Sequence, residues 1–264
     1  MPAKNALKQL VKPYILRRLK SEVLDELPLK TEQTIIIEPS EEEMAFYEAL
    51  RRQALERISH LEQQDGKKRF SILSEITKLR QACCHSMLID DSMNLDNSKV
   101  KIFLEIIKEL IENNHRALVF SQYVRYLDKI KESLDKEGIE YQYIDGQTPA
   151  KKRRQSVEAF QAGNGDLFLL SLKAGGTGLN LTAADYVIHL DPWWNPAVED
   201  QASDRAHRIG QQRPVTIYRL IVKNTIEEKI IKMHQEKRDL ATDLLSGGDV
   251  SGKLTEDELI ELIA

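Results

Sequence analysis

The sequence predicts an α/β protein centred on a doubly wound parallel sheet, with an N-terminal helical insertion before it and a C-terminal helix after it. Between residues 98 and 224, short apolar runs at 117–121, 141–144, 167–171, 186–190 and 215–222 alternate with helical stretches near 123–137, 149–162 and 196–208. Continuous apolar strands separated by amphipathic helices indicate a parallel sheet covered on both faces. Right-handed crossovers then make it open and doubly wound, with ligands expected outside the carboxyl ends of the strands.

The first 95 residues read differently, as mostly helical. Residues 34–38 form a short β-branched run suited to a strand. Ser40 followed by Glu41, Glu42 and Glu43 is a helix start, a hydroxyl cap with carboxylates at the positive end. The helix continues to about 63, with Met44, Tyr47, Leu50, Leu55 and Ile58 as its apolar stripe. Asp65-Gly66 breaks it, and a second helix covers about 70–87. The Asp- and Asn-rich stretch 90–98 is the best boundary. After Asn224 a charged helix runs to about 245, a glycine-containing linker follows, and an acidic helix covers 255–263. Three units are therefore expected: 1–95, 96–224 and 225–264.

Composition narrows the function only a little. Thirty-eight Lys and Arg against 42 Asp and Glu leave a net charge of −4, which argues against coating nucleic acid by overall charge. Local clusters exist, above all Lys151-Lys152-Arg153-Arg154, but such runs are usually solvated faces. No apolar run approaches the ~20 residues a membrane span needs. The two cysteines, Cys83 and Cys84, are adjacent, which suits neither a disulfide framework nor four-ligand zinc; a buried helix face is expected, in a reducing compartment.

Four elements near the strand ends carry the chemistry. Ser121 and Gln122 follow the first strand of the alternating region, at a turn where both can donate to an anion. Asp145-Gly146-Gln147-Thr148-Pro149 follows the second; Gly146 permits close backbone approach, and Thr148 can cap the next helix or hold a phosphate. The third loop runs from Ser171 through Lys173, Gly175, Gly176 and Gly178 to Asn180, letting backbone amides reach a phosphate chain, although no Gly-Lys-Ser/Thr ends it. The fourth is 201–211, where Arg205 and Arg208, three apart, would share one face of a helix. Two guanidiniums at a domain edge suit the spread charge of a phosphoryl-transfer transition state, while an isolated pair of this spacing is most often a surface helix with salt bridges.

The strings FSQY, YIDGQTPAKKRR, LLSLKAGGTGLNLTAADYVIHLDPWWNP and QASDRAHRIGQ, beginning at 120, 143, 169 and 201, resemble in order and spacing the later helicase motifs of Swi/Snf-type ATPases. PYILRRLKSEVLDELPLKTEQ from 13 and ITKLRQACCH from 76 resemble the family's linking segments, so the likeness covers about 13–245. It implies the C-terminal RecA-like lobe of a DNA-dependent ATPase, with a linking segment and helical protrusion at 1–95 and a helical brace at 225–264. By the same resemblance Arg205 and Arg208 are arginine fingers. Gln201, Gly178 and Asn180 face the ATP cleft. Ser121, Gln122, Gly146, Thr148, Ser171, Lys173, Gly175, Gly176 and Trp194 lie on double-stranded DNA, with core packing preferred for Trp193. ATP and Mg²⁺ would be held mainly by an N-terminal RecA-like lobe of the same polypeptide, and a DNA-bound protein complex would be moved. No metal site and no membrane partner are implied.

Two departures stand out: Ser86 follows His85 where the family usually has proline, and no Gly-Lys-Thr loop for phosphate or Asp-Glu pair for magnesium occurs upstream of these motifs. The string 247–253 has the form GxxxxGK, but Leu254 stands where magnesium needs Ser or Thr. It reads as a linker, and His207, between the fingers in sequence, as structural. The doubled tryptophan resembles bacterial members, implying the cytoplasm, or the nucleus if eukaryotic. Two other classes stay open: a non-catalytic module that docks DNA or a partner with a motor-like fold, and a stand-alone nucleotide enzyme of two doubly wound halves.

Overall fold

The computed structural model describes residues 27–60, 67–93, 95–175, 178–244 and 255–264. Residues 13–26 of the opening segment, the Asp65-Gly66 break, Gly176 and the string 247–253 lie outside the described residues.

Among the described residues one six-stranded sheet organises the fold. Its strands are β1 (Lys30–Ile37), β2 (Ala117–Ser121), β3 (Tyr141–Ile144), β4 (Leu167–Ser171), β5 (Tyr186–His189) and β6 (Val215–Val222). They lie in the order β1-β6-β5-β2-β4-β3, and every pair is parallel. The β-branched run near 34–38 is thus an edge strand of the sheet, longer than its apolar residues signal, because Lys30 to Gln33 pair with Val215 to Tyr218.

Alternation along the strands feeds two cores. Ala117 and Val119 join Phe103, Ile107, Tyr126, Leu127 and Ile130 on one face. Leu118 and Phe120 join Phe160, Phe168, Ala202 and Ala206 on the other. The first face is covered by α3 (Ser98–Glu112) and α4 (Val124–Lys136), the second by α5 (Ala150–Gln161) and α7 (Pro196–Ser203); the short α6 (Leu172–Gly175) follows β4. This is the doubly wound architecture, and it explains why the central strands read as unbroken apolar runs.

A third core lies outside the sheet. Tyr47, Ala54 and Ile58 of α1 (Glu41–Ser59) and Ile72, Ile76, Leu79 and Cys83 of α2 (Lys67–Cys84) pack with Ile226 and Ile230 of α8 (Ile226–Leu244) and with Leu259, Leu262 and Ile263 of α9 (Glu256–Ile263). The helices flanking the sheet in sequence therefore share one apolar centre. Ser40 caps α1 through a capping box with Glu43. The second helix stops at Cys84, short of the expected 87, because His85 is extended and its side chain accepts from Met87 N, starting a 3₁₀ turn at Ser86–Leu88. Cys83 and Cys84 are buried, as a helix-face reading expects, and burial pushes both thiols up. Among the described residues no helix is long and apolar enough to cross a membrane.

Candidate functional site

Register places three of the four loops side by side. Ser121 pairs with Ser171, and Ile144 with Leu170, so the chain leaves β2, β3 and β4 at one edge of the sheet. Ser121 is fully buried, and its hydroxyl donates to Asp191 Oδ1 at 2.5 Å, with Gln122 N donating to the same oxygen at 3.2 Å. Gln122 Nε2 is buried with no hydrogen-bond partner among the described residues. Beside it, Gly146 is exposed within a turn closed by Asp145, whose Oδ1 accepts from Gln147 N at 2.9 Å and from Thr148 Oγ1 at 2.8 Å. Thr148 does not cap the following helix: the cap position is Pro149. Arg153, from the four-cation run, turns inward instead of outward. Its guanidinium donates to the carbonyls of Asp145 at 3.2 Å and Ala174 at 3.4 Å, tying the second loop to α6, the element that carries Lys173 and Gly175.

The segment after β5 completes this edge. Trp193 packs against the core containing Phe160, and its backbone N donates to Glu199 Oε1 at 2.7 Å. Trp194 lies half-buried against the helical core of α1, α2 and α8.

The arginine segment lies at the other edge. Asn195 caps α7, which runs for roughly 12 Å to Ser203, whose Oγ lies 3.0 Å from His189 Nε2. The expected helix to 208 is not continuous. Arg205 N bonds to Ala202 O and Ala206 N to Ser203 O, both at 3.1 Å, so the chain tightens into turns. The cause is tertiary. Arg205 O accepts from Leu181 N at 3.1 Å, and Gln211 Nε2 donates to the carbonyls of Ala206, Ala184 and Thr182 at 3.1, 2.7 and 3.2 Å, so these carbonyls serve neighbouring segments instead of prolonging the helix.

Consequently the two arginines do not present one common helical face: Arg205 is buried and Arg208 exposed. They still feel each other. Burial first, and then the Arg208 charge, hold the Arg205 guanidinium below its ordinary range, against the pull of Asp204. Gly178, with φ of 66°, and exposed Asn180 immediately precede Leu181, so the end of the glycine-rich loop abuts the arginine turn. Gln201 is exposed on α7. His207 Nε2 lies 2.8 Å from Pro28 O, a structural tether to the chain entering β1.

The structure thus gathers Ser121, Gln122, Gly146, Thr148 and Ser171 at one edge and Arg205, Arg208, Gly178 and Asn180 at the other, with the loop after β4 joining them. Sequence reading missed Asp191, which holds Ser121 and Gln122, and Gln211, which shapes the arginine turn. Asp191 had a signal, an acid placed directly after a buried strand. Gln211 had none, because its partners are carbonyls up to 29 residues away. Among the described residues no group of His, Cys, Asp or Glu could hold a metal ion.

Two buried titrating groups on this path oppose each other. Burial lowers His189 from 6.5 to about 4, and burial raises Asp191 from 3.8 to about 6 against the charge of Arg80. On acidification the unfolded chain gains the His189 proton first, which costs stability, while the folded chain gains the Asp191 proton first, which restores it. Asp191→Asn keeps an acceptor for Ser121 but removes the restoring group. Denaturant unfolding followed from pH 6.5 to 4 is expected to show a steeper acid loss in the variant, and equal slopes would contradict the opposition.

Residues 98–210 match the helicase conserved C-terminal domain family, and residues 3–88 the SNF2-related domain. A protein of Mycoplasma pneumoniae named an uncharacterized ATP-dependent helicase is 44% identical over 97% of this chain and 25% of its own length. The chain spans about a quarter of the length of the curated relatives it matches. The Sulfolobus solfataricus SWI2/SNF2 ATPase C-terminal domain superposes with a TM-score of 0.70 at 31% identity, covering 88% of this chain and 97% of that one. The core of the same ATPase, solved in complex with double-stranded DNA, gives 0.74 at 33% identity over 99% of this chain and 56% of that one.

Proposed function

The chain belongs to the SWI2/SNF2 ATPase family as its RecA-like C-terminal lobe, and from that premise we propose that it is the second motor lobe of a DNA-dependent ATPase that translocates on duplex DNA and remodels protein–DNA complexes. In this reading the edge bearing Gln122, Gly146, Thr148, Ser171, Lys173 and Trp194 tracks the DNA backbone, with Ser121 shaping it through Asp191. Arg205 and Arg208 face a nucleotide gripped by an N-terminal lobe. ATP and Mg²⁺ supply the phosphoryl group to be transferred and the charge that neutralises it, and that partner lobe would hold both. The residues of this chain do the rest: the two guanidiniums stabilise the developing negative charge, while the glycine-rich loop links their position to that of the DNA edge.

The observation that carries this reading is the Leu181 N to Arg205 O bond, 3.1 Å long, which fixes the buried arginine against the end of a loop whose other end is Ser171. Hydrolysis would remove the charge that the arginines meet, and the loop would pass the resulting shift to the DNA contacts. The bacterial relative fits a cytoplasmic protein; a eukaryotic source would make it nuclear.

The test uses the complete protein. ATP turnover is expected to rise at least about tenfold with duplex DNA over no DNA. Duplex affinity should fall by at least about tenfold between 50 and 200 mM monovalent salt, as phosphate contacts require. Salt-sensitive binding with no stimulated turnover would mean a binding-only module, and a salt-independent affinity would remove the DNA edge.

A further inference from the structure

One arginine outside the helicase-like edges reaches into them. Arg80, on α2 of the helical protrusion, is 2% exposed and buries its guanidinium under the segment that follows β5. Its Nη2 donates to the carbonyl of Pro192, 112 residues away. Its Cζ lies 5.1 Å from the centroid of the Trp194 ring and 6.0 Å from that of Tyr123, so one planar cation faces two aromatic rings from two loops. The Arg80 charge is also the first of those opposing the burial of Asp191, the carboxylate that accepts from Ser121 and Gln122. Its Nε is buried with no hydrogen-bond partner among the described residues, a cost retained where the plane of the guanidinium is set by the rings.

We propose that Arg80 is a positioning residue for DNA: through Trp194, Pro192 and Asp191 it sets the edge that tracks the duplex, so the helical protrusion governs how tightly the motor grips. The proposal rests on the DNA reading of that edge. A planar, delocalised cation is required, because stacking against two rings and a directed bond to a carbonyl together exceed what an ammonium offers. A lysine would keep the charge opposite Asp191 while losing the stacking, which separates the two contributions.

The experiment is made on the complete protein in a Trp193→Phe background, with any other tryptophans of the full polypeptide also replaced by phenylalanine. Arg80→Lys is expected to shift the emission maximum and quantum yield of Trp194, and to raise the duplex concentration giving half-maximal ATPase on the order of tenfold. Turnover at saturating duplex should stay within about twofold, since the arginine turn at the opposite edge is untouched. Arg80→Met, which also removes the charge, should raise the half-maximal concentration further. An unchanged Trp194 emission overturns the proposal, as does an unchanged half-maximal concentration alongside a Trp194→Ala variant that binds duplex less well. If Trp194→Ala itself leaves duplex affinity intact, the DNA reading of the edge fails instead. A protein that loses saturated turnover and duplex affinity in equal measure has lost its fold, and Arg80 is then structural only.

Discussion

Replacing Arg208 by alanine in the complete protein is expected to lower DNA-stimulated ATP turnover by roughly 10³-fold or more, the scale of a lost arginine finger. The structure makes Arg208 the cleaner of the two tests. Its side chain is exposed, so its removal leaves no cavity and should change stability by no more than about 0.5 kcal/mol. Arg205 is 8% exposed, and Arg205→Ala removes packing as well as charge. Arg205→Lys is therefore the informative change there: it keeps one positive charge but loses the fork that spans two phosphate oxygens, and turnover should still fall by about two orders of magnitude. Duplex affinity without nucleotide should stay within about threefold for every variant, because the edge proposed to track DNA is separated from the arginine turn by the length of α7. Single-turnover and steady-state rates measured beside thermal melts separate the chemistry from folding. Retained turnover in Arg208→Ala, with an unchanged melt, would show that this guanidinium does not meet the transferred phosphoryl group.

The helix expectation for these arginines also shows where sequence reading stops. The sheet was legible because its signal is local: Ala117 to Ser121 and Leu167 to Ser171 are buried on both faces, so each residue carries the same apolar message. Loop positions were legible too, since a loop must follow each such strand. What could not be read was hydrogen bonding between segments. Nothing within 201–211 announces that Leu181 and Gln211 will take the carbonyls that a longer helix would need. Likewise the four-cation run 151–154 reads as a solvated face, yet Arg153 turns inward because the carbonyls of Asp145 and Ala174 come within reach only after β3 and β4 pair. Arg80 has the same character, an unremarkable helix arginine until Pro192 and Trp194 arrive from 112 and 114 residues away. The motif resemblance placed the candidate residues; geometry decided which of them share an edge.

Lys99→Met is expected to cost about 3–5 kcal/mol and to lower the melting temperature by roughly 6–20 °C. Lys99 is 1% exposed and Glu227 fully buried; Nζ lies 2.7 and 2.8 Å from the two carboxylate oxygens and 3.0 Å from Leu190 O. Burial works against the Lys99 charge, but Glu227 overrides it and holds the ammonium above its ordinary range. Removing the ammonium strands a carboxylate whose remaining bond among the described residues is from Val222 N at 2.9 Å. Such a charge cannot be rehydrated without opening the junction between β5, β6 and the start of α8. The double variant Lys99→Met with Glu227→Gln keeps an acceptor for Val222 N and removes both charges, so it should recover at least about half of the loss. A double variant no better than Lys99→Met would mean that packing of the lysine stem, not charge pairing, sets the cost. The pair also joins the end of β5, just before Asp191, to the helix that closes the third core. Opening it should therefore loosen the loop after β2 and the helix α2 together, and hydrogen exchange is expected to rise in both, at Ser121 to Tyr123 and along α2, before the central strands β2 and β4 lose protection.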